Sequence, residues 1–175
     1  MIYHAICLLT DRRAHWFLLL IHHHLDFARL TVKIRCLSIS VHMHTAVAVL
    51  AVCCGLKSLN MHFPCHLLDQ NPILQHLDHL DCVKVLYVDL SSIFNSHSIF
   101  LLDVLIFHRV TYLHLTNTWV TWNPTVQAVS LHLLTQVTHL LLFLSTVCTM
   151  PGLLKDILGC ENVMVLVLWK RAWTS

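Results

Sequence analysis

Val110-Thr-Tyr-Leu-His-Leu-Thr116 decides how the rest of the chain is read, because near copies of it recur. Val83-Lys-Val-Leu-Tyr-Val-Asp89, Val137-Thr-His-Leu-Leu-Leu-Phe143 and Val163-Met-Val-Leu-Val-Leu-Trp169 repeat its pattern closely, and Ile34-Arg-Cys-Leu-Ser-Ile-Ser40 and Gly55-Leu-Lys-Ser-Leu-Asn-Met61 repeat it more loosely. With Leu56 taken as the shifted start of the second, copies starting at 34, 56, 83, 110, 137 and 163 are separated by 22, 27, 27, 27 and 26 residues. Each has alternating apolar positions at its centre, the period-2 signature of a strand with one buried face. Strands are therefore expected near 35–40, 57–61, 84–89, 111–115, 138–142 and 164–168, parallel, in chain order and each beside its sequence neighbour. The 22-residue step leaves little room for a full helix, so the sheet is expected to be least regular there.

A repeat of 20–29 residues with an L-x-L-like centre resembles a leucine-rich repeat, in which one short strand per unit lines a horseshoe. The resemblance implies an α/β, leucine-rich-repeat-like solenoid with a parallel β-sheet on the concave face and helices on the convex face. About six repeats would occupy 31–175. Punctuation between the strands fits. Asn71-Pro72, Asn123-Pro124 and Met150-Pro151 each read as a helix opening, since proline in the first turn loses no needed hydrogen bond. The apolar stripes that follow are Ile73, Leu77, Leu80; Val126, Val129, Leu133, Leu134; and Leu153, Leu154, Ile157, Leu158 ahead of Gly159. Ile99 to Phe107 is apolar nearly all round and is expected to be the most buried helix.

Residues 1–30 lack the repeat and read as a helical segment with apolar positions from Ile6 to Leu25. Ala5-Ile-Cys-Leu-Leu-Thr-Asp-Arg-Arg-Ala-His-Trp-Phe-Leu-Leu-Leu-Ile21 is similar to the closing helix of an F-box. The chain thus resembles the fungal type of F-box/leucine-rich-repeat protein, which implies substrate recognition for a ubiquitin ligase. The Leu-Pro-x-Glu opening of an F-box has no counterpart, so this chain alone is expected not to bind the Skp-type adaptor. The alternative is an incomplete or non-functional fragment of a longer leucine-rich-repeat protein.

Alternation assigns faces. Leu86 with Val88, Leu113 with Leu115, Leu140 with Leu142 and Leu166 with Leu168 are expected to point into the core. The concave ladder then reads Cys36, Ser38, Ser40; Ser58, Asn60, His62; Val85, Tyr87, Asp89; Tyr112, His114, Thr116; His139, Leu141, Phe143; Val165, Val167, Trp169. Its polar beginning and apolar end mark Tyr87, Tyr112, His114, His139, Leu141, Phe143, Val165, Val167 and Trp169 as the candidate protein-binding face. Self-association through the C-terminal edge strand is a second use of the same apolar end.

Composition narrows the function classes. The chain has 175 residues, 57% of them hydrophobic and 11% charged, so much of its surface is made of uncharged groups. With 11 basic and 9 acidic residues spread along the sequence, no nucleic-acid footprint is expected. Only 3 glycines argue against phosphate-cradling loops. Neither Thr45–Leu56 nor Leu131–Leu144 supplies the roughly 20 apolar residues of a membrane span, and Trp16–Ile21 is too short for a signal peptide. The 8 cysteines form no CxxC pair and are read as reduced, mostly buried thiols of an intracellular protein. The 16 histidines, including His22-His23-His24, His42 with His44, His62 with His66 and His76 with His79, are read as half-polar surface residues rather than metal ligands. Cys65-His66 and Asp81-Cys82 are read as core cysteines, not a nucleophile and base. No enzyme and no cofactor are expected.

Overall fold

The computed structural model describes residues 5–23, 34–62, 72–89, 105–116, 134–144 and 158–170. These form an α/β structure around an all-parallel sheet of seven strands in chain order. The strands are β1 (Ala5–Leu8), β2 (Cys36–Ile39), β3 (Ser58–Met61), β4 (Val85–Asp89), β5 (Tyr112–Thr116), β6 (His139–Leu144) and β7 (Val165–Lys170). The last six fall where the repeat places them. The helices are α1 (Asp11–His23), α2 (Met43–Val52) and α3 (Pro72–Asp78), with a 3-10 turn at Leu105–His108.

Register is continuous across the sheet. The first paired row runs Ala5, Cys36, Ser58, Val85, Tyr112, His139, Val165, and the second runs Ile6, Leu37, Leu59, Leu86, Leu113, Leu140, Leu166. A shared hydrogen-bond device sets it. From β3 to β7, two successive amides at the start of the strand donate to one carbonyl just ahead of the strand before, as Thr111 and Tyr112 do to Lys84 (2.9 and 3.0 Å) and Thr138 and His139 do to Thr111 (2.9 and 3.0 Å). The residue just ahead of the donors is buried for β3 to β6, as Leu56, Val83, Val110 and Val137, and half-buried for β7, as Val163. A slip of one residue would turn the whole apolar set outward.

The second and fourth rows are the core side. Leu37, Leu59, Leu86, Leu113 and Leu140 are buried, as are Leu8, Ile39, Met61, Val88, Leu115 and Leu142, and they form one cluster with Ala46, Val49 and Leu50 of α2 and Ile73 and Leu77 of α3. The core therefore lies between the helices and one face of the sheet. Each leucine removed from water there contributes about 1.5–3 kcal/mol.

Three expectations need correction. Ala5–Leu8, expected to be helical, is a strand paired in parallel with β2, so the N-terminal segment contributes a strand and a helix of its own. Its Ile6 and Leu8 alternate inward in register with Leu37 and Ile39, and this pairing overrides the helical spacing of the same residues. The 22-residue step between β2 and β3 holds a ten-residue helix, and its four paired positions are as regular as those of β1 with β2. The links are short enough to make room: α2 begins at Met43, four residues beyond Ile39, and β3 begins six beyond Val52. Near the end, Leu158 is 83% exposed rather than packed on the strands.

α1 starts where sequence dictates. The Thr10 hydroxyl accepts from the Arg13 amide (3.4 Å), an N-cap contact. Asp11 then ties α1 to α2: one carboxylate oxygen accepts from the His42 amide (3.1 Å) and the other meets His42 Nδ1 (2.5 Å). Burial raises the Asp11 carboxyl, but hydrogen bonds from Thr45 and His42 and the His42 charge outweigh it and hold the group below its ordinary 3.8. A depressed carboxyl stabilises above its unfolded pKa and loses that contribution as pH falls through the folded value. Below about pH 4 the wild type should therefore lose stability faster than Asp11→Asn, measured by urea denaturation across an acid series.

α3 opens at Pro72 as expected, and its Ile73 and Leu77, with Leu80 beyond, are buried. The expected helix at Ile99–Phe107 is described only from Leu105, as a 3-10 turn with Ile106 and Phe107 buried. Of the connections after Pro124 and Pro151, residues 124–133 and 151–157 lie outside the described residues.

Candidate functional site

The opposite face of the sheet carries the first, third and fifth rows, and all nine candidate residues stand on it. Tyr112, His139 and Val165 share the first row; Tyr87, His114, Leu141 and Val167 the third; Phe143 and Trp169 the fifth. The sheet thus brings together residues up to 82 positions apart, Tyr87 to Trp169. Their side chains are exposed or half-buried among one another.

Two tyrosine–histidine pairs form the centre. Tyr112 and His139 stack with ring centroids 4.0 Å apart and planes at 18°, while Tyr87 and His114 meet in a T-shape at 5.3 Å and 75°. Both arrangements are favourable ones for flat rings, contributing about 0.5–1.5 kcal/mol in comparable aromatic pairs. They arise because in-register neighbours on adjacent parallel strands are close enough to touch. His139 Nδ1 lies 2.9 Å from the Thr138 hydroxyl, which fixes the ring. Burial pushes the His114 pKa below 6.5, since its imidazolium would lose water with no anion to replace it. His114 is thus neutral at pH 7, and the face presents aromatic and hydrogen-bonding groups with little charge.

Asp89, expected on this face, is 3% exposed. His62 Nδ1 lies 3.6 Å from its carboxylate, from the adjacent strand. Spacing could not reveal this, because His62 follows β3 by one residue and meets Asp89 only once register is set. The Thr116 hydroxyl reaches back to the Val88 carbonyl at 3.5 Å.

At the far end the apolar residues are more exposed than the core reading allows. Leu166 and Leu168, expected to be buried, are each 38% exposed, and Trp169 on the other side is 66% exposed. Among the described residues β7 pairs with β6 alone.

The cysteines also differ from expectation. All six in the described residues are free, but Cys7, Cys36, Cys54 and Cys82 are exposed and Cys53 is buried. Burial, with neighbouring Cys54 adding to it, pushes the Cys53 thiol up to about 12 and leaves it unreactive. Cys82 is exposed in the turn before β4, next to the buried Val83; Cys65 and His66 lie outside the described residues. Among the described residues no group of three or more His, Cys, Asp or Glu could hold a metal ion, and no helix is long and apolar enough to cross a membrane. The His42 and His44 rings stack at 6.0 Å. A cleft of about 270 Å³ between the turns before β6 and β7, lined by Leu134, Thr135, Gly159, Cys160, Glu161 and Asn162, lies apart from the nine candidates. No protein-family model, curated protein or solved structure matches the chain.

Proposed function

We propose that the chain is a leucine-rich-repeat-like solenoid that recognises a protein partner on the sheet face bearing Tyr87, Tyr112, His114 and His139. The near-constant strand spacing and the unbroken row register support the solenoid, with this face as its concave side. One observation carries the binding reading: all-parallel sheets ordinarily have both faces covered, yet this face holds two tyrosine–histidine pairs that no described element covers. Tyrosine presents large contact area at small entropic cost and is enriched among residues that dominate interfaces. The chain is read as an intracellular binding scaffold, not an enzyme, with no cofactor. Its resemblance to F-box/leucine-rich-repeat proteins makes ubiquitin-ligase substrates the first partner class to try.

Quantitative capture from a cytosolic extract tests it. Proteins retained by wild type and by the helix variant His15→Ala should be lost from Tyr87→Ala/Tyr112→Ala by about tenfold or more, as for truncated interface anchors. The Skp-type adaptor should be absent from all three. An unchanged capture profile for the tyrosine variant contradicts the reading.

Self-association is the second reading, favoured by the exposed apolar residues of β7 and by an edge able to pair with another strand. Sedimentation should show wild type associating and Phe143→Asp/Val167→Lys associating less, with circular dichroism unchanged. A wild type that stays monomeric at high micromolar concentration removes it.

A further inference from the structure

Three cations line up along one edge of the sheet. Arg35, Lys57 and Lys84 immediately precede Cys36, Ser58 and Val85, which stand opposite one another on β2, β3 and β4. The backbone holds them side by side: Lys57 and Ser58 both donate to the Arg35 carbonyl (2.8 and 2.9 Å), and Lys84 and Val85 to the Lys57 carbonyl (2.8 and 3.0 Å). Neighbouring strands lie about 4.8 Å apart, so the three occupy roughly 10 Å of edge. All three residues are exposed. The Arg35 guanidinium donates to the Gly55 carbonyl (3.1 Å) and the Lys84 ammonium to the Arg109 carbonyl (3.2 Å), each reaching toward the turn before the next strand. Their charges therefore stay on the edge and off the tyrosine face.

No carboxylate among the described residues pairs with the row. Among the described residues the carboxylate ion pairs are Asp11 with His42, Asp89 with His62 and Asp81 with Arg109, and none involves these three cations. Like charges directly opposite on adjacent strands are destabilising. A chain with only 11 lysines and arginines in 175 residues nonetheless sets three of them in consecutive positions of one row. The row continues as Thr111, Thr138 and Met164, which confines the charge to β2, β3 and β4.

We infer that this edge docks an acidic polypeptide segment carrying two or three carboxylates in a short run. Same-side carboxylates are spaced about 6–7 Å in an extended segment and about 5–6 Å at helical i,i+4. Flexible lysine and arginine side chains on a 4.8 Å row can match either spacing. The strip is smaller than the roughly six to ten phosphate contacts of a strong duplex binder, and the chain's net charge is only +2, which favours a peptide over nucleic acid. The inference stands whether or not the tyrosine face has an occupant.

Fluorescence anisotropy of a labelled hexaglutamate peptide against the full chain tests it. Hexaglutamate should bind and hexaglutamine should not, with affinity falling as salt rises from about 50 to about 200 mM. Lys57→Gln/Lys84→Gln should weaken binding about tenfold or more, whereas Arg12→Gln/Arg13→Gln, an equally exposed pair on α1, should change it less than about twofold. Lys57→Gln, which relieves the repulsion at the centre of the row, should unfold at a denaturant concentration no lower than wild type. Equal binding of the glutamine peptide, equal losses for the two double variants, or no loss for Lys57→Gln/Lys84→Gln would overturn the proposal. So would an oligothymidine that binds more than about tenfold tighter than hexaglutamate at the same salt, which would assign the edge to nucleic acid.

Discussion

Leu113→Ala should destabilise the chain by about 2–5 kcal/mol, whereas His114→Ala, the next residue, should cost about 1 kcal/mol. Leu113 is 1% exposed in the middle of the sheet, in register with Leu86 and Leu140, which are buried on either side of it. Truncation there leaves a cavity, because strands held by a continuous hydrogen-bond ladder cannot close over it. His114 points the other way and loses chiefly its edge contact with Tyr87. It also makes acid sensitivity visible. With a folded pKa below 6.5, wild type loses stability as pH falls through 6.5 and levels off below the folded value, a loss that His114→Ala lacks. Comparable denaturation losses for Leu113→Ala and His114→Ala would mean that the faces are reversed.

Phe107→Ala should cost about 3–5 kcal/mol, the range for large aromatic truncations in a core. Phe107 is fully buried in a four-residue 3-10 turn. That turn is fixed from outside: the Leu105 amide donates to the Asp78 carboxylate (2.8 Å), the Arg109 guanidinium donates to the Asp78 carbonyl (2.9 Å), and Arg109 pairs with Asp81 (2.5 Å). Held this way, the short turn cannot collapse into the space a phenyl ring vacates. Leu105→Ala, at a site 49% exposed, should cost under about 1 kcal/mol and serves as the control.

The strands from β2 to β7 were legible because alternation and period agree at each copy, so that local pattern and long-range pairing point the same way. β1 was not. Ala5-Ile-Cys-Leu8 is four residues long, lies 31 residues before its partner position in β2, and carries apolar spacings that a helix shares. Helix α2 is not legible from the 22-residue step, which holds ten helical residues only because the links on either side are short. The tyrosine face could be read from alternation alone, since facing is a property of a single strand. Contacts between strands could not: Asp89 with His62, and the row of Arg35, Lys57 and Lys84, join residues 22 to 27 positions apart and appear only when register is known. The exposure of Leu166 and Leu168 was illegible because their alternation is the same as that of the buried Leu140 and Leu142, and nothing within β7 itself distinguishes the two.

A cysteine scan of β5 tests the division of the sheet into a core face and an open face most directly. Single cysteines at 112, 113, 114 and 115 would be labelled with maleimide in the folded chain and read peptide by peptide, with native Cys53 as the buried reference. Tyr112→Cys and His114→Cys should label readily, while Leu113→Cys and Leu115→Cys should stay unlabelled, like Cys53, until denaturant is added. Labelling at 113 and 115 with protection at 112 and 114, or equal labelling at all four, would contradict it.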